Sequence, residues 1–233
     1  MPRTPSASSV APARVPAAVL WDMDGTLIDT EPMWIGAEIE LVSRFGGTWT
    51  HEDGLGLVGN PMLVSARTLQ DRGVDLPVDE IVDFLNESVA AGVARQVPWQ
   101  PGARELLDEI AAAGIRMALV TSSFRMLAEP FARAAGCFDV VVSGDEVVNK
   151  PDPEPYLTAA RLLGVAIEDC VAVEDSRAGI TSALASGART VGVEVFQAIE
   201  PRPGLVRVRS LTELSIERLE RIAAGERDGV EVA

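Results

Sequence analysis

Short apolar runs punctuate the chain from residue 17 onward, and longer stretches with a helical repeat separate them. The first run, 17–21 (AAVLW), ends at Asp22. Similar runs occupy 115–121, 138–143, 170–174, 190–193 and 205–208. An unbroken apolar run of about four to eight residues is what a strand buried on both faces presents. Between the runs, 102–113 sets Leu106, Leu107 and Ile110 on one face against Glu105, Asp108 and Glu109 on the other, the spacing of an amphipathic helix. Gly114 supplies its stop. Ranges 126–135, 153–163, 177–186 and 212–222 predict further helices, several closed by Gly136, Gly164 and Gly187. Strands alternating with helices of this length predict an α/β fold: a Rossmann-like, doubly wound parallel sheet covered on both faces.

The alternation breaks once. From Pro32 to Pro98 no stretch reads as a strand, whereas 31–44, 61–72 and 79–96 all read as helices. This predicts a small all-helical cap inserted after the first strand, at 32–98. The α/β core then comprises 17–31 and 99–225, flanked by tails at 1–16 and 226–233. The first tail is rich in Pro, Ala and Ser, has no apolar run of signal-peptide length, and is expected to be disordered. An insert leaving the loop after the first strand sits over the carboxyl edge of the sheet, where it can exclude water and read substrate.

The loops after the strands concentrate polar chemistry, and in open α/β sheets ligands bind at that edge. Asp22-Met23-Asp24-Gly25-Thr26 follows the first strand, and Thr121-Ser122-Ser123 the second. Lys150-Pro151-Asp152-Pro153 lies shortly after the third, and Glu174-Asp175-Ser176 after the fourth. Four converging carboxylates, Asp22, Asp24, Glu174 and Asp175, would repel one another unless a hard cation joined them, and oxygen ligands suit magnesium. Lys150 adds a fixed positive charge. A phosphate group is the natural remaining occupant, held by Thr121, Ser122, Lys150 and backbone N–H groups of the turn. Asp22, at the strand end, is placed to attack phosphorus. Asp24, past the turn, is placed to protonate the leaving oxygen and then to activate water.

Composition narrows the partners. The 233 residues carry 20 Lys plus Arg against 35 Asp plus Glu, a net charge of −15, which opposes binding to nucleic acid or to anionic membranes. A small phosphorylated metabolite remains compatible, because it is read by local fields. Cys137 and Cys170 are too few for a disulfide scaffold and lack zinc-site spacing. No run approaches the roughly 18 apolar residues of a membrane span. The expectation is a soluble, cytoplasmic, monomeric protein.

Two attractive features carry less. Gly54-Leu55-Gly56-Leu57-Val58-Gly59 matches a dinucleotide fingerprint, but it follows His51-Glu52-Asp53 inside the helical insert instead of a strand. His51, the sole imidazole, is expected to cap or solvate an insert loop. Trp34, Trp49 and Met62 are expected to pack the insert core.

The four motifs together, Asp22 to Thr30, Thr121-Ser122, Lys150 to Pro153 and Glu174 to Ile180, resemble those of the haloacid dehalogenase-like superfamily. The likeness is to its beta-phosphoglucomutase-like phosphatases with a small helical cap, and it runs from about Ala17 to Ile222. The resemblance implies an aspartyl-phosphate mechanism with magnesium. Asp22 would be nucleophile and metal ligand, and Asp24 acid/base and a ligand through its carbonyl. Thr121 and Lys150 would hold the phosphoryl group, and Asp175 would bind the metal with Glu174 assisting. The mutases of this group place a histidine in the hinge and an arginine early in the cap. Trp34 and a position near Met62 stand there, which favours hydrolysis over a sugar-phosphate mutase. A non-catalytic phosphate-binding module would lack Asp22 or Asp24, and both are present.

Overall fold

The computed structural model of the chain describes residues 14–58, 60, 62–195 and 198–226. Six strands form one parallel sheet: β1 (Ala18–Trp21), β2 (Arg116–Val120), β3 (Val140–Val142), β4 (Cys170–Glu174), β5 (Arg189–Val193) and β6 (Leu205–Val208), in the order β3-β2-β1-β4-β5-β6. The order reverses between β1 and β4, so the carboxyl ends of these two neighbours open onto the switch-point crevice where α/β sheets bind ligands. Their register sets Trp21 opposite Val173. Asp22 and Asp175, the next residues out of each strand's end, therefore emerge close together.

Period-2 alternation explains how the sheet holds both helical layers. Val19 and Trp21 face a core shared with α5 (Ala103–Ala112), α6 (Arg125–Ala135) and α9 (Ile216–Ala223), through Leu107, Phe131 and Leu219. Ala18 and Leu20 face the opposite core, with Tyr156 and Ala160 of α7 (Glu154–Leu163) and Ala183 of α8 (Arg177–Ser186). All four β1 residues are fully buried. This accounts for the unbroken apolar run in the sequence, since no β1 position meets solvent.

Between β1 and α5 lie four helices: α1 (Glu31–Arg44), α2 (His51–Leu55), α3 (Met62–Asp71) and α4 (Val78–Arg95). They build their own core from Leu41, Val42, Trp49, Leu69, Ile81 and Leu85. Each such aliphatic side chain contributes about 1.5–3 kcal/mol when buried. Further along α4, Val89 and Val93 join Leu127 and Phe131 in the sheet's core, which ties the helical segment to the α/β body. The chain enters and leaves this segment side by side: Asp29 N–H donates to Pro98 O at 2.9 Å, and Gln100 N–H to Leu27 O at 2.9 Å.

Several boundaries differ from the sequence pattern. The short helix α2 has no counterpart among the expected elements. A capping box forms it, in which Thr50 and Asp53 each satisfy the other's backbone N–H. The helix expected from residue 212 begins at Ile216, because Ser210 starts a separate 3-10 turn at Leu211–Glu213 and Ser215 caps α9. Of the expected amino-terminal tail, 1–13 lie outside the described residues, while Arg14 pairs with Asp169 at 3.0 Å. Of the expected carboxyl-terminal tail, 227–233 also lie outside them. No helix among the described residues is long and apolar enough to cross a membrane.

Candidate active site

A buried ion cluster occupies the switch-point crevice. Lys150 Nζ donates to Asp22 Oδ1 at 2.6 Å, to Glu174 Oε1 at 2.6 Å and to Val120 O at 2.8 Å. The lysine side chain is only 3% exposed, and three acceptors saturate its three N–H groups. Burial alone would push the Lys150 ammonium down, but Asp22 and Glu174 outweigh it and hold the group above its ordinary range. Removing either partner from such a buried pair would strand a charge.

Glu174, fully buried, is the anchor of the cluster. Its Oε1 also accepts from the Tyr156 hydroxyl at 2.7 Å, and its Oε2 from Ser176 Oγ at 3.1 Å and Ser176 N–H at 3.3 Å. Both of its oxygens are thus engaged by protein donors. Gly179, on the first turn of α8, leaves room for this carboxylate, since a Cβ there would collide with the Glu174 oxygens.

Asp175 sits opposite Asp22. Its Oδ1 accepts from Thr26 Oγ1 at 3.0 Å, and its Oδ2 lies against Gly25, where any Cβ would collide with it. Gly25 also holds φ +88°, a left-handed turn that glycine adopts freely. Gln100 Nε2 donates to Gly25 O at 3.1 Å and pins this turn. Carboxylate oxygens of Asp22, Glu174 and Asp175 all fall within 4.8 Å of one another. Burial, then the Glu174 charge, pushes Asp175 up to about 7, and the same two causes hold Asp22 well above the usual carboxylate range. Oxygen donors crowded in this way favour a hard divalent cation, whose charge would remove the repulsion.

Asp24 lies apart from that trio. Thr30 Oγ1 donates to its Oδ1 at 2.7 Å and Ser123 Oγ to its Oδ2 at 2.7 Å, while Thr121 Oγ1 stands 3.4 Å from Oδ2. Thr121 Oγ1 in turn accepts from Ser123 N–H at 2.9 Å, which fixes the turn after β2. The residues singled out by sequence thus converge, with one exception. Ser122 is exposed and donates to Asn149 Oδ1 at 2.7 Å, away from the carboxylates. Its neighbour Ser123 reaches Asp24 instead. Thr26 and Thr30 belong to the first motif but had no assigned task. Tyr156 carried no signal, because its partner is 18 residues distant and on another element.

The insert borders the same region. Glu31 follows Thr30, and burial with the charges of Asp24 and Asp29 raises its carboxyl above the ordinary value. Trp34 and Met62 pack against the insert core as expected and also border a cavity there, while Trp49 is buried within that core and donates from Nε1 to Glu38 Oε2 at 3.0 Å. His51 is the exposed first residue of α2 and does not line that cavity. Gly54 is in α2 and Gly56 caps it, so the glycine-rich run does not follow a strand; Gly59 lies outside the described residues.

Residues 19–193 match the family model of the haloacid dehalogenase-like hydrolases. Protein CbbY of Rhodobacter capsulatus is 35% identical over 195 residues, covering 75% of this chain and 83% of that protein. The phosphorylated carbohydrates phosphatase of Thermotoga maritima is 33% identical, covering 73% and 81% respectively. Hexitol phosphatase A of Escherichia coli is 32% identical, covering 75% and 81%. The crystal structure of CbbY from Rhodobacter sphaeroides with phosphate superposes with a TM-score of 0.74 at 31% identity, over 85% of this chain and 96% of that one. With the family pattern running from β1 through β5 and taking in the four loops and the helical insert, the chain belongs to the haloacid dehalogenase-like hydrolases.

Proposed function

We propose that the protein is a magnesium-dependent phosphatase that hydrolyses a small phosphorylated metabolite of the sugar or polyol phosphate class. The observation that carries this reading is the pairing at the switch point of two aspartates in different surroundings. Asp22 is buried against Lys150, Glu174 and Asp175, while two hydroxyl donors hold Asp24 at its side. Relatives named as phosphatases of phosphorylated carbohydrates and of hexitols support the substrate class.

In the proposed reaction, an Asp22 carboxylate oxygen attacks phosphorus, and the bond from phosphorus to the substrate oxygen breaks. Asp24 gives that oxygen its proton. Asp24 then takes a proton from water, and the water oxygen displaces the Asp22 carboxylate, releasing inorganic phosphate. Thr121, the backbone N–H groups of the turn after β2 and the Lys150 charge hold the phosphoryl oxygens, while the Ser122 hydroxyl, turned to Asn149, takes no part. Asp22, Asp175, the Asp24 carbonyl and Glu174 would hold magnesium, Glu174 through its contact with the cluster. Bound magnesium supplies positive charge that offsets the carboxylates and the phosphoryl group. The helices at 32–98 serve as a cap over the site, and 17–31 with 99–225 as the catalytic core.

The charge of −15 supports a small-molecule substrate over nucleic acid or an anionic membrane, and two free thiols suit the cytoplasm. We expect a soluble monomer. Phosphate release from a panel of sugar and polyol phosphates, with magnesium and with a chelator, tests the reading. Free phosphate is the expected product. Asp22→Asn should lower release roughly 10^3-fold or more. Turnover that survives either the chelator or Asp22→Asn refutes it.

A further inference from the structure

Beside Glu31 the insert leaves a cavity of about 130 Å³. Its lining residue Glu31 follows the Thr30 that bonds Asp24 and feels the Asp24 charge, so the cavity is the nearest described space on the insert side for the group beyond the scissile oxygen of the proposed reaction. Its polar lining among the described residues is Glu31, Glu38, Asn60 and Ser65, and no Lys, Arg or His lines it. Glu38 is built in. It is 5% exposed, its Oε2 accepts from Trp49 Nε1 at 3.0 Å, and Gly54 lies close against it because a Cβ there would approach Oε2 to 3.1 Å. Trp34, Ile35 and Leu57 supply apolar walls.

We infer that Glu38 is a specificity-determining residue of this site, selecting an uncharged, hydroxyl-bearing leaving group and rejecting one that carries a second phosphate or a carboxylate. The inference rests on the phosphatase reading and extends it to the far end of the substrate. A carboxylate fixed by one indole donor still has lone pairs for substrate hydroxyls, and Asn60 and Ser65 offer both donors and acceptors. Above about pH 7, where Glu38 is ionised, a second anion would meet Glu31 and Glu38 with no cation among the described lining residues to pair with, and like charges brought together in a low-dielectric cavity are strongly unfavourable. Apolar walls suit the carbon chain of a polyol. Burial, with the Glu31 charge adding to it, holds the Glu38 carboxyl up to about 7, and the described lining offers two acidic groups and no cationic anchor.

The test compares kcat/KM for a polyol monophosphate with that for the matching bisphosphate and for a phosphorylated hydroxy acid, in wild type and Glu38→Gln. The wild type should prefer the monophosphate by roughly 100-fold. Glu38→Gln keeps the shape and an acceptor for Trp49. It should narrow the preference by about tenfold, mainly through a lower KM for the anionic substrates. Equal wild-type efficiency on mono- and bisphosphate overturns the inference while leaving the phosphatase reading intact. An unchanged ratio in Glu38→Gln, with a melting temperature no lower than that of wild type, removes Glu38 from the selection. No phosphate release from any of the three overturns both readings together.

Discussion

Tyr156→Phe isolates one bond in the ion cluster. The ring is fully buried, its hydroxyl donates to Glu174 Oε1 at 2.7 Å, and Lys150 Nζ lies 5.3 Å from the ring centroid. Phenylalanine keeps the packing and the contact between the ammonium and the ring, and deletes only the hydroxyl. Burial and the Glu174 charge hold the Tyr156 phenol well above its ordinary range, so it acts as a donor throughout the neutral range. A hydrogen bond to a charged group contributes about 1.5–3 kcal/mol. The low end applies here, because Glu174 keeps Lys150 at 2.6 Å and Ser176 at 3.1 Å. A loss of about 1.5 kcal/mol lowers the melting temperature of a chain this long by about 3–6 °C. Thermal melts of Tyr156→Phe, Glu174→Gln and the double variant complete the cycle. The expected coupling is about 1 kcal/mol. Steady-state kcat/KM should fall by less than about tenfold, since the hydroxyl is one residue removed from the reacting atoms. A melting temperature within about 1 °C of wild type would refute the reasoning. So would a full loss persisting on the Glu174→Gln background.

Two further outcomes follow from the same geometry. Gly179→Ala forces its Cβ into the Glu174 oxygens and should cost about 1–3 kcal/mol, with turnover falling as Lys150 loses its anchor; urea denaturation and phosphate release read both effects, and a neutral substitution would show that the carboxylate can swing aside. Glu38 has its carboxyl raised from 4.5 to about 7 by burial, so the folded state holds the proton more tightly and stability falls as pH rises across that window. Because this carboxylate borders the cavity and is partly screened, the loss is about 1–2 kcal/mol. Glu38→Gln should therefore melt about 2–8 °C above wild type at pH 8 and show no gain below about pH 4.5; a gain of equal size at both pH values would sink the assignment.

The sheet was legible because parallel strands buried on both faces need continuous apolar residues, and Val19, Leu20 and Val171 to Val173 supply them. Carboxyl-end chemistry was legible for the same reason: polar residues that abruptly end an apolar run mark the exposed end of a strand. What failed to show were contacts that close across elements. Nothing near Tyr156 signals that its hydroxyl meets Glu174 from a helix on the covered face. Ser122 and Ser123 are chemically equal in sequence, and only the turn after β2 decides that Ser123 faces Asp24 while Ser122 meets Asn149. The Thr50 and Asp53 box did carry a local signal, but a helix of five residues has too little hydrophobic period to be noticed.

The central place of β1 has a dynamic consequence. Its backbone is bonded to β2 on one side and to β4 on the other, and every side chain along it is sealed from water. Amide protons in this strand can exchange with solvent only when the whole sheet opens, whereas those of the edge strands β3 and β6 escape through local fraying. Asp22, the nucleophile of the proposed reaction, is therefore carried on the strand expected to open last, and adaptation to different substrates falls to residues outside the central strands.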